Sequence, residues 1–206
     1  LKREHLDNAM LEVLDQQMIE QQLTIIAMRR QFIAKMNESL SRTYSALAEE
    51  EAQVSAAYHT ITEQTEPDAM REEISRKLLE NRERDRILKT TSSGVHRDDL
   101  SFQLNGRDVL SYASQGQRRM IVLAWKLSLI DFIAERLNEL PVLLLDDVLS
   151  ELDQQKRVNL FSLISPEIQT FITTTEIAEL LPFLSRKPKI AEIDSGQIRP
   201  WKEDMN

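Results

Sequence analysis

The stretch Val142-Leu143-Leu144-Leu145-Asp146-Asp147-Val148-Leu149-Ser150-Glu151-Leu152-Asp153 decides how this chain is read. An apolar run goes straight into two acids, and a polar tetrapeptide follows. A short apolar run bounded by polar residues reads as a buried strand. Ser150 with an acid three residues later fits a helix N-terminus, Ser150 as cap and Asp153 as the reciprocal acid. The helix it would start covers 153–164. Thr170-Phe171-Ile172-Thr173-Thr174 reads as a second buried strand, with a polar end at Thr174-Thr175-Glu176. Strands alternating with helices imply a parallel α/β core. Ligands of open α/β sheets bind at the carboxyl ends of the strands, which is where Asp146 and Asp147 stand.

Upstream, Ser114-Gln115-Gly116-Gln117 opens an apolar helix over 115–139. A Ser and a Gly at a helix start can present backbone N–H groups to an anion, with the helix dipole assisting; an ordinary cap has the same residues. Leu100 to Leu104 alternates, Asn105-Gly106 turns, and Val109-Leu110 follows, which signals a hairpin. Residues 190–193 and 197–199 form a closing hairpin around Ser195-Gly196.

Before Gly94 the texture differs. All four glycines lie after residue 93 and the first proline is Pro67, so the opening segment reads as mostly helical. Apolar residues recur at Leu11, Leu14, Met18, Ile25, Met28, Phe32, Met36, Leu40, Tyr44 and Leu47, with Gln21 or Gln22 filling the missing turn. The spacing is that of an α-helix, about 3.6 residues per turn, and predicts a helix of roughly 60 Å, long enough to be an arm. It frays at Glu49-Glu50-Glu51, where acids oppose the dipole. Residues 53–62 read as a strand. Pro67 stands at the first position of a second helix over 68–90. Its stretch 71–89 carries seven Lys/Arg against five Asp/Glu. That is either a solvated face laced with ion pairs or a DNA contact through Arg82, Arg86 and Lys89.

Composition limits the function. The 206 residues are 41% hydrophobic and carry a net charge of −8, which excludes a simple polycationic nucleic-acid arm. There is no cysteine, so there is no disulfide framework, thiolate zinc site or cysteine nucleophile. His5, His59 and His96 are too scattered for a metal motif. No apolar run reaches the ~18–20 residues of a membrane span, and no signal peptide opens the chain, which makes the cytoplasm the expected compartment. A start at Leu1 rather than Met suggests a piece of something longer.

In P-loop nucleotide hydrolases an apolar strand delivers an Asp beside the phosphates. Asp146 is therefore the candidate Mg²⁺ ligand, since Mg²⁺ takes hard oxygen donors and keeps several waters. Asp147 is the candidate catalytic acid, placed to polarise an attacking water. The order of the motifs resembles the carboxyl-terminal lobe of an ABC-type ATPase. Ser114, Gln115, Gly116 and Gln117 look like its signature motif, Val142 to Asp147 like Walker B, Ser150 to Asp153 like the D-loop, and Thr175 falls at the switch position. More narrowly, Tyr112-Ala113-Ser114-Gln115-Gly116-Gln117-Arg118-Arg119, the Asp146-Asp147 string and Gly94-Val95-His96-Arg97-Asp98-Asp99 resemble the RecF family of recombination-mediator ATPases. The last string usually has Pro where Val95 stands.

The resemblance implies an α/β fold: a partial parallel sheet with flanking helices over 93–206 and a helical arm domain over 1–92. It implies a slow, DNA-stimulated ATPase of recombinational and replication-gap repair that supports recombinase loading and the SOS response. The implied cofactors are ATP and Mg²⁺. The implied partners are double-stranded DNA and gap junctions, RecO, RecR and a head-to-tail homodimer, with no membrane, in the nucleoid-associated cytoplasm. Ser114 and Gly116 would contact the γ-phosphate of ATP held by the other subunit. The sequence departs from the ABC pattern at Asp147, one methylene shorter than the common Glu, and at Thr175, which lacks an imidazole. It contains no Gly-x-x-x-x-Gly-Lys-Ser/Thr loop to cradle phosphate, so this chain alone is expected not to turn over ATP. The alternatives are a transporter's nucleotide-binding subunit and a non-hydrolysing interaction module.

Overall fold

The structure, a computed structural model, describes residues 8–184 and 186–201; Leu1 and His5 lie outside them. The chain divides into two compact units between Phe132 and Ile133.

In the first unit, α1 (Asn8–Ala48) is a single helix of 41 residues. It stops where expected, with Glu49 in the left-handed region at φ 52°. From Met36 onward its buried stripe is the anticipated one: Met36, Leu40, Tyr44 and Leu47. Nearer the N-terminus Leu11 and Gln22 are buried as anticipated, but Ile19, Ile26 and Ile33 are buried in place of Met18, Ile25 and Phe32, and Met28 is exposed. The reason is the second helix, α2 (Pro67–Leu88), which has Pro67 in its first turn. Met70, Ile74 and Leu78 of α2 close over Ile19 and Ile26 and decide which apolar residues are buried.

The carboxyl half of α1 packs on β1 (Val54–His59). Asn37 donates its amide to Ala56 O (2.9 Å) and accepts Ala56 N–H (2.8 Å). Ser41 does the same with both backbone groups of Val54, and Ser45 with Ala52. Side chains four residues apart on one helix thus satisfy a strand edge that would otherwise be bare. The other edge of β1 pairs antiparallel with β2 (Asp99–Leu104), Val54 opposite Leu104 and His59 opposite Asp99. Asn105-Gly106, both at positive φ, turn β2 into the short β3 (Arg107–Asp108). Two such residues make the type I′ turn that matches strand twist. Val109-Leu110, expected to extend the hairpin, instead begin α3 (Val109–Tyr112), because Asp108 caps it by accepting Ser111 N–H at 2.9 Å.

The expected division between residues 92 and 93 is crossed by this β1–β2 pairing. It is crossed again by α4 (Gln115–Leu137), which meets α1 through Phe32 and Trp125, ring centroids 5.9 Å apart, and through Ser128 and Thr43. The segment between α2 and β2 is pinned to α1. Arg29 donates to Val95 O (2.7 Å) and Asp98 (2.6 Å), and Val95 N–H donates to Gln22. Gly94 has φ 134°, a backbone that favours glycine, and a Cβ there would stand 2.8 Å from Gln22 Oε1 and push that side chain aside.

The second unit contains the parallel pair β4 (Leu143–Leu145) and β5 (Thr170–Ile172), with Leu145 opposite Ile172. Between them lies α5 (Gln154–Leu163), the right position for a crossover helix. After β5 come α6 (Ile177–Leu180) and the antiparallel hairpin β6 (Ala191–Asp194) and β7 (Gln197–Pro200). The core is small: Leu145, Leu149, Leu152, Leu160, Ile168 and Leu180. The strands are not buried on both faces, as their apolar runs suggest. Leu144 is 70% and Phe171 56% exposed, because side chains alternate along a strand and only one face of this pair is covered.

Candidate functional site

The second unit brings its chemistry to one edge. Parallel register places the residue after Leu145 beside the residue after Ile172. The ladder continues one step, with Thr173 N–H donating to Leu145 O at 3.0 Å. The Thr173 hydroxyl donates to Asp146 Oδ1 at 2.6 Å and accepts Asp147 N–H at 3.0 Å. Asp147 lies at φ 50°, a left-handed conformation uncommon outside glycine, asparagine and aspartate. Ser150 then donates to Asp147 O at 2.9 Å and closes the turn that leads toward α5. A cleft of about 120 Å³ opens here, with Asp147, Ser150, Thr174, Thr175 and Glu176 on its walls. The geometry thus joins Asp147, Ser150 and Thr175, which the sequence places 28 residues apart at the extremes.

Arg157 also lines the cleft. Its Nε–H is shared between Leu149 O (3.1 Å) and Leu152 O (3.0 Å), and its Nη1 meets Glu179. The hydrogen bond from Arg157 holds the Glu179 carboxyl below the usual range. One side chain thereby ties the backbone at Leu149 and Leu152 to α6. Neither Thr173 nor Arg157 stands out in the sequence. The available signals were a hydroxyl residue following a strand parallel to the acid strand, and a cation one turn into α5.

The local reading of Ser150 and Asp153 needs correction. Asp153, not Ser150, caps α5: it accepts Lys156 N–H at 2.9 Å and pairs with the Lys156 ammonium. That side-chain hydrogen bond, with the backbone one, lowers the Asp153 pKa. Ser150 is occupied with Asp147 O.

In the first unit, Ser114 to Gln117 form a complete capping box. Gln117 N–H donates to Ser114 Oγ (3.2 Å) and Ser114 N–H to Gln117 Oε1 (3.0 Å). Ser114, Gln115 and Gly116 are exposed, and nothing lies within 4 Å of where a Gly116 Cβ would be. Arg118 braces the approach by donating to Ala113 O and Leu110 O. The Gln117 amide is taken by the cap, and it is the exposed Gln115-Gly116 start of the 23-residue helix that faces open space at its positive end.

The basic stretch of α2 is largely spent on structure. Arg82, one of the possible DNA contacts, is only 18% exposed and donates to Asp15 of α1 at 2.7 Å. Arg71 bridges Glu20 and Asp68, Arg76 pairs with Glu80, Lys77 with Glu73 and Arg86 with Glu83. Arg84 and Lys89 stand exposed outside that set.

Among the described residues no group of three or more His, Asp or Glu side chains is placed to hold a metal ion unaided. A Mg²⁺ that takes most of its ligands from phosphate and water needs only one or two protein oxygens. The Asp146 carboxylate, with a neutral hydroxyl as its partner, fits that need. No helix among the described residues is long and apolar enough to cross a membrane.

A parallel strand pair with acids at its carboxyl edge, flanked by helices, is the ABC ATPase-like fold. The chain belongs to the RecF family over its whole length. It is 35% identical to the DNA replication and repair protein RecF of Lactobacillus delbrueckii, across 100% of this chain and 55% of that protein. The RecF proteins of Staphylococcus carnosus and Streptococcus suis are 36% and 38% identical over 93% and 94% of the chain. The chain thus spans about half the length of the curated relatives it matches. It also matches a solved structure of the recombination mediator protein RecF of the RecFOR pathway with ATPrS, at TM-score 0.79 and 29% identity, covering 97% of this chain and 52% of that one. A second, of RecF with ATP, matches at TM-score 0.76. No family model matches. Nothing in these comparisons supports a transporter subunit.

Proposed function

We propose that this chain is the signature and Walker B part, with its helical arm, of an ATP-dependent DNA-binding protein that acts in recombinational and replication-gap repair. The observation that carries the reading is the strand edge of the second unit, where two parallel strands end side by side, Asp146 bonds Thr173, and Asp147 and Thr175 line one cleft. The open helix start at Ser114 and the RecF kinship support it. In this reading Asp146 holds Mg²⁺, which neutralises phosphate charge when bound, and Asp147 polarises the attacking water. Ser114 and Gly116 receive the γ-phosphate of a nucleotide held by a second subunit. The P-loop stands in a separate amino-terminal lobe that covers the bare face of Leu144 and Phe171. Residues 1–92 act as the arm and 93–206 as the nucleotide lobe, although the two share a core. Asp147 in place of Glu makes turnover slow. Double-stranded DNA, gap junctions, RecO and RecR are the partners, in the nucleoid-associated cytoplasm.

The test is Ser114→Arg in a protein that joins this chain to its P-loop lobe. The guanidinium fills the place of a partner's γ-phosphate and leaves the P-loop untouched. ATP should still bind, and the ATP-driven increase in sedimentation coefficient should vanish. If the increase persists, Ser114 is a helix cap and nothing more.

A further inference from the structure

The geometry points to Thr173 as the positioning residue of the strand-edge acids: its single hydroxyl orients the Asp146 carboxylate toward the metal and fixes the backbone turn that presents Asp147. This rests on the reading of Asp146 as the Mg²⁺ acid. A hydroxyl has one hydrogen and two lone pairs. The Asp147 amide can only donate and the ionised Asp146 carboxylate can only accept. The hydroxyl's hydrogen is therefore committed to Asp146, at 2.6 Å, and a lone pair to Asp147 N–H, at 3.0 Å. The rotor is locked from both sides. The residue's own backbone is locked as well, by the ladder bond from Thr173 N–H to Leu145 O.

The choice of a neutral donor matters. A hydroxyl occupies one lone pair of Oδ1 and leaves the carboxylate its full charge, so Oδ2 and the remaining lone pair stay available to a hard cation. A lysine or arginine in that place would answer the charge and compete with the metal, as Lys156 answers Asp153 a few residues on. The second bond has a different effect. Asp147 is held at φ 50°, where an L-residue other than Asn or Asp is disfavoured, and its amide is tied down by the Thr173 oxygen. Loss of the hydroxyl would loosen both acids together.

The experiment compares Thr173→Val, which keeps the branched shape, with Thr173→Ser, which keeps the hydroxyl, in the protein joined to its P-loop lobe. The quantity read is the Mg²⁺ concentration for half-maximal ATP binding at equilibrium, with the urea midpoint measured alongside. Thr173→Val should raise that concentration about tenfold, and Thr173→Ser should restore it to within about twofold, as expected for a hydrogen bond to a charged group. Asp146→Asn is the control and should raise it further. A Thr173→Val protein with the parent's Mg²⁺ requirement, whether or not its urea midpoint falls, would overturn the inference while leaving Asp146 in its role if the control is defective. Failure of Thr173→Ser to rescue would also overturn it. An Asp146→Asn protein with an unchanged Mg²⁺ requirement would overturn the reading beneath, and this inference with it.

Discussion

The arm of the first unit and the strand edge of the second treat charge in opposite ways. Along α1 and α2, Arg71, Lys77 and Arg82 each meet a carboxylate, and Arg29 meets one in Asp98, whose side chain is only 3% exposed. At the strand edge Asp146 meets only a hydroxyl, and Asp147 stands exposed on the wall of a cleft. Carboxylates answered by cations hold helices together. A carboxylate given a neutral donor is positioned but keeps its charge for a cation from outside. The difference teaches that charge density in the sequence is a poor guide to a binding surface. In the most basic stretch of the chain most cations already meet a carboxylate, many of them in exposed pairs along the helix.

The largest expected effect tests whether the arm is the more tightly packed region. Ile74 is fully buried between α1 and α2, whereas Leu144 is mostly exposed on the bare sheet face. Ile74→Ala should destabilise the chain by about 2–5 kcal/mol. Leu144→Ala should change stability by no more than about 0.5 kcal/mol. Urea midpoints read both, and equal losses would end the contrast.

A smaller effect is alkaline. Tyr44 is buried in α1, and that burial, with the Glu50 carboxylate beside it, pushes its pKa up to about 12. The unfolded value is about 10. A raised folded pKa means that the contribution is fully present below pH 10 and is lost as pH rises through about 12. Stability should therefore fall by roughly 2 kcal/mol across that window, and Tyr44→Phe should flatten the fall. A parallel fall in both proteins would place the alkaline transition elsewhere.

The smallest effect separates scaffold from surface within α2. Arg82→Glu faces Asp15 with a like charge and should cost about 1 kcal/mol or more, whereas Arg84→Glu should be close to neutral. For DNA the order reverses. In the protein joined to its P-loop lobe, Arg84→Glu with Lys89→Glu should weaken duplex binding. It should also flatten the salt dependence by about one logarithmic unit of slope for each phosphate that is no longer neutralised. An unchanged slope would remove α2 from the DNA surface.

Much of the fold was legible because local chemistry agreed with it. Pro67 starts α2, Asn105-Gly106 turn a hairpin, and Glu49 to Glu51 follow the end of α1. The errors came where a side chain outside the pattern chose, near or far in sequence. Met28 has the right spacing for the buried stripe, but α2 lies over Ile26 instead. Val109-Leu110 carry strand-forming residues, but Asp108 reaches Ser111 N–H first. Asn37, Ser41 and Ser45 look like ordinary polar positions on a helix until β1 lies against them.

The sequence by itself marked the residues proposed to do the chemistry. Asp146, Asp147 and the Ser114 tetrapeptide are marked by order and residue type, since a strand ending in acids and a helix opening on Ser and Gly are local patterns. Tertiary structure alone decided how those residues are held. Thr173 reaches Asp146 only because two strands 27 residues apart in sequence run parallel in a particular register, and a shift of one residue would turn its hydroxyl to the other face. Arg82 is tied to the first helix because Asp15 lies across from it. Such pairings depend on where two segments meet, and no period or motif within either segment records the meeting.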